Sequence, residues 1–279
     1  MEMNRKQPDK NAPIGFFDSG VGGLTVAREI MRQMPNEKII YFGDTARVPY
    51  GSKSQETITR YSDQIVRFLR TLQVKTIVVA CNTASAYAMD TLEKHIDIPI
   101  IGVIRPGARV AVEVTRNGRI GVIATEATIA SQMYTKYIKE LNKDVTIYGK
   151  ACPLFVPLVE EGLLQDPVTD EIARRYLTEL IDIDIDTLIL GCTHYPLIRS
   201  TLGRIVGEKV RLVNPAYETA LELKEMLGRL DLLGDEPPGL GSNQYRFYVS
   251  DMAEKFVRFA NSIIKYGILS AKAVNIEDY

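Results

Sequence analysis

What this chain lacks narrows its function before any motif is considered. It has no charge imbalance: 34 Lys and Arg face 35 Asp and Glu, a formal net charge of -1. No global field therefore draws it to nucleic acid or to an anionic membrane. No apolar run approaches the roughly 20 residues that span a bilayer. Residues 1–13 are polar and lack the apolar segment of a secretory signal, so they read as a short flexible tail. Cysteine is scarce: three in 279 residues, an odd number, which does not suggest a disulfide framework. Free thiols suit a reducing cytoplasm. Nucleotide signatures are missing too. Gly20-Val21-Gly22-Gly23 is not G-x-G-x-x-G, no acid follows at ribose-binding distance, and there is no Walker A sequence.

What is present is an alternation. Apolar, mostly β-branched runs such as Ile14–Phe17, Lys38–Phe42, Ile77–Ala80 and Ile98–Ile104 read as strands. Helical patterns stand between them. Leu24–Met34 is one; a second follows the Ser54 N-cap, with Ile58, Tyr61, Ile65, Phe68 and Leu72 on one face; the third runs from Ala84 to His95. Arg105-Pro106-Gly107 closes the series. The order then begins again with strands at 119–124, 145–148, 188–191 and 210–213, and helices at 130–141 and from Asp166-Pro167 onward. A helix at 216–230, a loop at Pro237-Pro238-Gly239, a strand at 245–249 and a helix from Glu254 to Tyr266 complete the chain.

The two series match by spacing. From Asp18 to Cys81 is 63 residues, and from Thr125 to Cys192 is 67. Each series has a first strand ending in a polar residue and a later strand ending in a cysteine. The expectation is an α/β protein of two pseudo-symmetric domains, each a mostly parallel sheet flanked by helices. Residues 14–105 with 216–279 form the first, and 106–215 the second. Ligands bind beyond the carboxyl ends of such strands, so both thiols belong in the cleft between the domains.

Paired thiols admit several chemistries. A redox couple usually uses C-x-x-C, which is absent. A zinc site of Cys81, Cys192 and His194 has no obvious fourth ligand; His95 is the only other histidine. A hydrolase needs a histidine base, a role His194 fills poorly at two residues from Cys192. No lysine stands at a comparable strand end to carry pyridoxal. Two-base proton transfer at a carbon acid remains, one thiolate taking a proton from one face and the opposite thiol returning one to the other. Ser19, Asn82, Thr83 and Thr193 sit where backbone N–H groups bind carboxylates, though plain helix capping also fits them. Asp18 could take an ammonium, orient Cys81, or only fix the turn before Gly20. Cys152 matches no such position and reads as packing.

Four motifs carry a resemblance. Phe17-Asp18-Ser19-Gly20-Val21-Gly22-Gly23-Leu24-Thr25-Val26 is similar to the opening motif of glutamate racemases. So are Asp44–Gly51, Ala80-Cys81-Asn82-Thr83-Ala84-Ser85 and Gly191-Cys192-Thr193-His194-Tyr195-Pro196. The resemblance implies a cofactor-independent enzyme that interconverts L- and D-glutamate, supplies D-glutamate for peptidoglycan, and works as a cytoplasmic homodimer. It implies that Cys81 and Cys192 are the acid/base pair, Cys81 serving the D-isomer and Cys192 the L-isomer. Asp18, His194 and Glu160 assist them. Ser19, Tyr50, Gly51, Asn82, Thr83 and Thr193 join Asp18 and His194 around the substrate, with Thr125 and Thr128 as weaker contacts. Glu160 owes its place to the resemblance alone; spacing makes it a surface helix residue.

Overall fold

The apolar runs identified above become two parallel sheets in a computed structural model that describes residues 8–235, 244–264, 268 and 270–279. The first part of the chain gives β1 (Ile14–Asp18), α1 (Leu24–Gln33), β2 (Ile39–Gly43), α2 (Gln55–Thr71) and β3 (Thr76–Val79). Then come α3 (Asn82–Tyr87), α4 (Met89–His95), β4 (Ile100–Gly102) and α5 (Ile104–Val114). The second series is β5 (Arg119–Ala124), α6 (Glu126–Ala130), α7 (Met133–Leu141), β6 (Thr146–Ala151), α8 (Phe155–Glu160) and α9 (Pro167–Asp182). It continues with β7 (Thr187–Gly191), α10 (Arg199–Val206), β8 (Arg211–Val213) and α11 (Pro215–Arg229). The chain ends with β9 (Tyr245–Val249), α12 (Ala253–Ile263) and a two-residue β10 (Lys272–Ala273).

The strand orders are β10-β9-β2-β1-β3-β4 and β6-β5-β7-β8. The four strands β2-β1-β3-β4 and the whole second sheet therefore repeat one arrangement. Every pairing among the described residues is parallel. Register sharpens the repeat. Phe17 pairs with Val79, so two residues on, Ser19 stands level with Cys81. Ala124 pairs with Gly191, so one residue on, Thr125 stands level with Cys192. The counterpart of Thr125 is Ser19 rather than Asp18.

Side chains alternate across each sheet, as the period of two requires. Ile14 and Phe16 face a core shared with α1, α11 and α12, while Phe17, Ile40 and Phe42 face α2 and α3. In the second sheet Leu188 and Leu190 pack toward α9 and α10, and Ile120, Val122 and Ile189 toward α5 and α7. Helix starts follow their caps: Ser54 accepts from the Thr57 N–H, Asp166 from Val168, and Asn214 from Ala216. Pro167 and Pro215 occupy first-turn positions, where a missing N–H costs no hydrogen bond.

Three expectations change. The strand expected over 98–104 ends at Gly102, and Arg105-Pro106-Gly107 does not close it but lies in the first turn of α5, where proline is tolerated. The helix expected over 84–95 starts at Asn82 and is two helices meeting at Ala88. The helix expected over 130–141 begins at Met133, behind the short α6. Pro237-Pro238-Gly239 and Tyr266 lie outside the described residues, as do residues 1–7 of the expected tail.

The edge of the first sheet opposite the cysteines is held by a buried ion pair. Lys75 and Glu37 expose 0% and 3% of their side chains. The Lys75 ammonium also donates to the carbonyls of Lys10 and Leu232, and Glu37 accepts from the Gly234 N–H. Removing one partner leaves the other charge buried without compensation. Lys75→Ala is expected to lower unfolding free energy by about 3–5 kcal/mol, measured by urea denaturation; a loss below about 1 kcal/mol, the worth of an exposed pair, would show that the pair is not holding this edge.

Candidate active site

Cys81 follows β3 and is the N-cap of α3, its sulfur accepting from the Ala84 N–H at 3.5 Å. Cys192 occupies the equivalent place after β7. Both are nearly buried, 5% and 6% exposed, and both line one cavity of about 420 Å³ between the two sheets. Ser19, Asn82, Thr83, Thr125, Thr193 and His194 share its walls, and Glu160 stands at its edge from the end of α8. All three cysteines are free thiols. Cys152 is fully buried in the core of the second sheet, as expected of packing.

Their surroundings differ. Near Cys192 stands a relay: His194 Nδ1 lies 3.8 Å from the Cys192 sulfur, and His194 Nε2 lies 3.0 Å from Glu160 Oε1. Burial works against a charged His194, but its bonds to Cys192 and Glu160 outweigh burial and push it up to about 10. The same bond from His194 holds Glu160 below the usual carboxylate range. Near Cys81 stands Asp18, fully buried, accepting from the Gly20 N–H at 2.9 Å. Burial and then the Asp18 charge push the Cys81 thiol up to about 12, against the pull of the Ala84 N–H and the Ser19 hydroxyl. Asp18 is itself raised, chiefly by burial, with His194 opposing.

The two halves meet through hydroxyls. Thr83 lies 3.0 Å from Thr125 and 3.2 Å from Thr128, and Thr125 donates to Thr128 at 2.9 Å. Thr25, near the start of α1, donates to the Thr193 carbonyl at 2.9 Å. Gly51 touches the other half directly: a Cβ there would stand 2.8 Å from the Thr125 Cβ.

Two residues assigned to the substrate by resemblance do not reach the cavity wall. Asp18 lies beneath it, completely covered. Tyr50 turns its phenol away to Asp44, inside the core of the first sheet. That carboxylate also takes Arg47 at 2.8 Å, and Arg47 stacks over Tyr61 and bonds Gln64 and Glu277. Tyr50 thus anchors the loop whose Val48, Pro49 and Ser52 do line the cavity. On the facing side are Glu126, Pro153, Val156 and Pro157. None of these carried a chemical signal in the sequence; only the fold places them. His95 lies apart, in a surface depression beside α2. Among the described residues no group of three or more His, Cys, Asp or Glu side chains is arranged to hold a metal ion, and no helix is long and apolar enough to cross a membrane.

Comparison with known proteins adds what geometry alone does not. The family model described as Asp/Glu/Hydantoin racemase matches residues 22–222. A glutamate racemase of Geobacter metallireducens is 51% identical over 251 residues, covering 90% of this chain and 92% of that one. Among solved structures, a glutamate racemase isoform of Bacillus anthracis superposes with a TM-score of 0.90 at 42% identity, over 95% of this chain and 98% of that chain. The glutamate racemase of Francisella tularensis, solved in complex with D-glutamate, gives 0.89 at 39% identity, over 97% of this chain and 100% of that chain. The similarity thus runs along nearly the whole chain, which belongs to the Asp/Glu/Hydantoin racemase family and, within it, to the glutamate racemases.

Proposed function

We propose that the chain interconverts L- and D-glutamate by two-base proton transfer, with Cys192 acting on the L-isomer and Cys81 on the D-isomer. The observation that carries this is the presence of both thiols, at equivalent strand ends, on the wall of one small cavity. In the L-to-D direction the Cys192 thiolate takes the α-proton, leaving the electron pair on the α-carbon and carboxylate. The Cys81 thiol delivers its proton to the opposite face and is left as the thiolate. The net change is inversion of the carbon and transfer of one proton from Cys81 to Cys192, which exchange with solvent reverses.

Burial and Asp18 keep Cys81 protonated, while His194, charged and held by Glu160, faces the Cys192 sulfur. The α-proton is far less acidic than a thiol, so donors on the substrate carboxylate must stabilise the carbanion. Asn82, Thr83 and Thr193, all on the cavity wall, fill that role. Asp18 and Tyr50 act from beneath: Asp18 through its charge on Cys81 and His194, Tyr50 through the loop it anchors. The same reading makes the chain a cytoplasmic homodimer that supplies D-glutamate for peptidoglycan; sedimentation of the purified protein tests the dimer.

In heavy water, with no cofactor added, L-glutamate is expected to yield D-glutamate carrying deuterium at the α-carbon, read by mass spectrometry. Cys81→Ser and Cys192→Ser are each expected to lower kcat/KM about 10²–10⁴-fold, the range for losing a proton-transfer group. Full racemisation by either variant would remove that thiol from the mechanism.

The His194 relay sets a pH dependence. A histidine raised from 6.5 to about 10 stabilises the fold fully below 6.5, and that contribution is lost as pH rises through about 10. Activity that needs the charged ring falls over the same alkaline window. Glu160→Gln takes away the carboxylate that raises His194, so the alkaline limb of kcat/KM is expected to move to lower pH. An unmoved limb would show that Glu160 does not act through His194.

A further inference from the structure

Tyr134, on α7, has no part in the site as described so far, yet it touches both cysteine turns. Its hydroxyl donates to Asn82 Oδ1 at 2.7 Å, and Asn82 is the residue after Cys81. Its ring lies against Gly191, the residue before Cys192: a Cβ at 191 would stand 3.1 Å from Tyr134 Cε2 and 2.8 Å from the Ile123 carbonyl oxygen. Glycine at 191 is therefore what lets the ring lie there and the phenol reach across from the second half to the first. Tyr134 and Asn82 are 3% and 4% exposed, so the bond between them is shielded from water.

A carboxamide has one accepting end and one donating end. With Oδ1 occupied by a buried donor, the end of Asn82 left for the cavity it lines is Nδ2. Turned over, Asn82 would place Nδ2 against the phenol and present an acceptor to an anionic substrate. Burial, and then the charge of Cys192, keep the Tyr134 phenol protonated and so able to donate. We propose that Tyr134 is a positioning residue: its hydroxyl fixes the Asn82 carboxamide with the N–H₂ end toward the substrate carboxylate, while its ring seats the Cys192 turn. This rests on the reading of Asn82 as a carboxylate ligand given above.

A double-mutant cycle tests it. Tyr134→Phe keeps the ring against Gly191 and removes only the donor. It is expected to raise KM for both isomers about tenfold, the effect of losing roughly one hydrogen bond, and to lower kcat as well, because Asn82 also stabilises the carbanion. In an Asn82→Ala background the same substitution is expected to change KM less than about twofold, because the group it acts through is gone. A KM within twofold of wild type for Tyr134→Phe, or an equal loss in both backgrounds, overturns the proposal. Wild-type KM for Asn82→Ala alone overturns the carboxylate role of Asn82 and the proposal with it, whereas the cysteine variants test the two-thiol mechanism separately. A second measurement reads the unaltered enzyme and uses a variant only to assign the signal. With asparagine labelled with nitrogen-15, the Asn82 side-chain Nδ2 resonance, assigned by its loss in Asn82→Asp, is expected to shift on saturation with glutamate. An unshifted resonance overturns the proposal.

Discussion

Parallel pairing is the constraint from which the site follows. A parallel sheet brings all its carboxyl ends to one edge, and every pairing among the described residues is parallel. Two such sheets set edge to edge enclose a cavity lined by strand ends and helix starts. Those are places where backbone N–H groups lack partners and where small polar residues cap helices. The site is thus made of positions the fold leaves polar on the margin of an apolar core, and its volume of about 420 Å³ suits a small ligand. The opposite edge of the first sheet carries a buried ion pair. There the Lys75–Glu37 pair and its backbone partners join β2, β3, the segment after α11 and Lys10.

Enclosure has an electrostatic cost that shapes the chemistry. Asp18, Cys81 and His194 are all buried, and burial works against the charged form of each. His194 escapes because two partners hold it from opposite ring nitrogens. Cys81 does not, because its strongest charged neighbour is a carboxylate. Removing water therefore does more than strengthen the hydrogen bonds on a substrate. It also holds the Cys81 thiol protonated.

The alternation of strand and helix was legible because buried parallel strands are apolar throughout, as in Ile77–Val79 and Leu188–Leu190. Cys81, Cys192 and their polar followers were legible because those runs end at them. α5 was hidden by Arg105-Pro106-Gly107, which reads as a stop although its proline fits a first turn. Glu160 was invisible to spacing, since what singles it out is a contact with His194, 34 residues away. Tyr50 shows the reverse: a motif names it beside the substrate, but burial turns its phenol to Asp44. Tyr134 was hidden for a simpler reason. On α7 it is one aromatic residue of an amphipathic face, and nothing in the chain marks which aromatic reaches across to Asn82.

The repeated sheet and the unequal neighbours answer different requirements. Mirror-related substrates need proton donors on opposite faces of one carbon, and a repeated strand order supplies two equivalent ends, Ser19–Cys81 and Thr125–Cys192. A symmetric electrostatic field would not serve, because at each instant one sulfur must hold a proton and the other must lack it. Asp18 on one side and the Glu160–His194 relay on the other break that symmetry. Such asymmetry cannot favour either enantiomer at equilibrium, since the two have equal free energies in water. kcat/KM must then be equal in both directions, and unequal surroundings can appear only as compensating differences in kcat and KM. A site built on a repeat can therefore differ at its two cysteines, provided each still presents its sulfur to the same carbon.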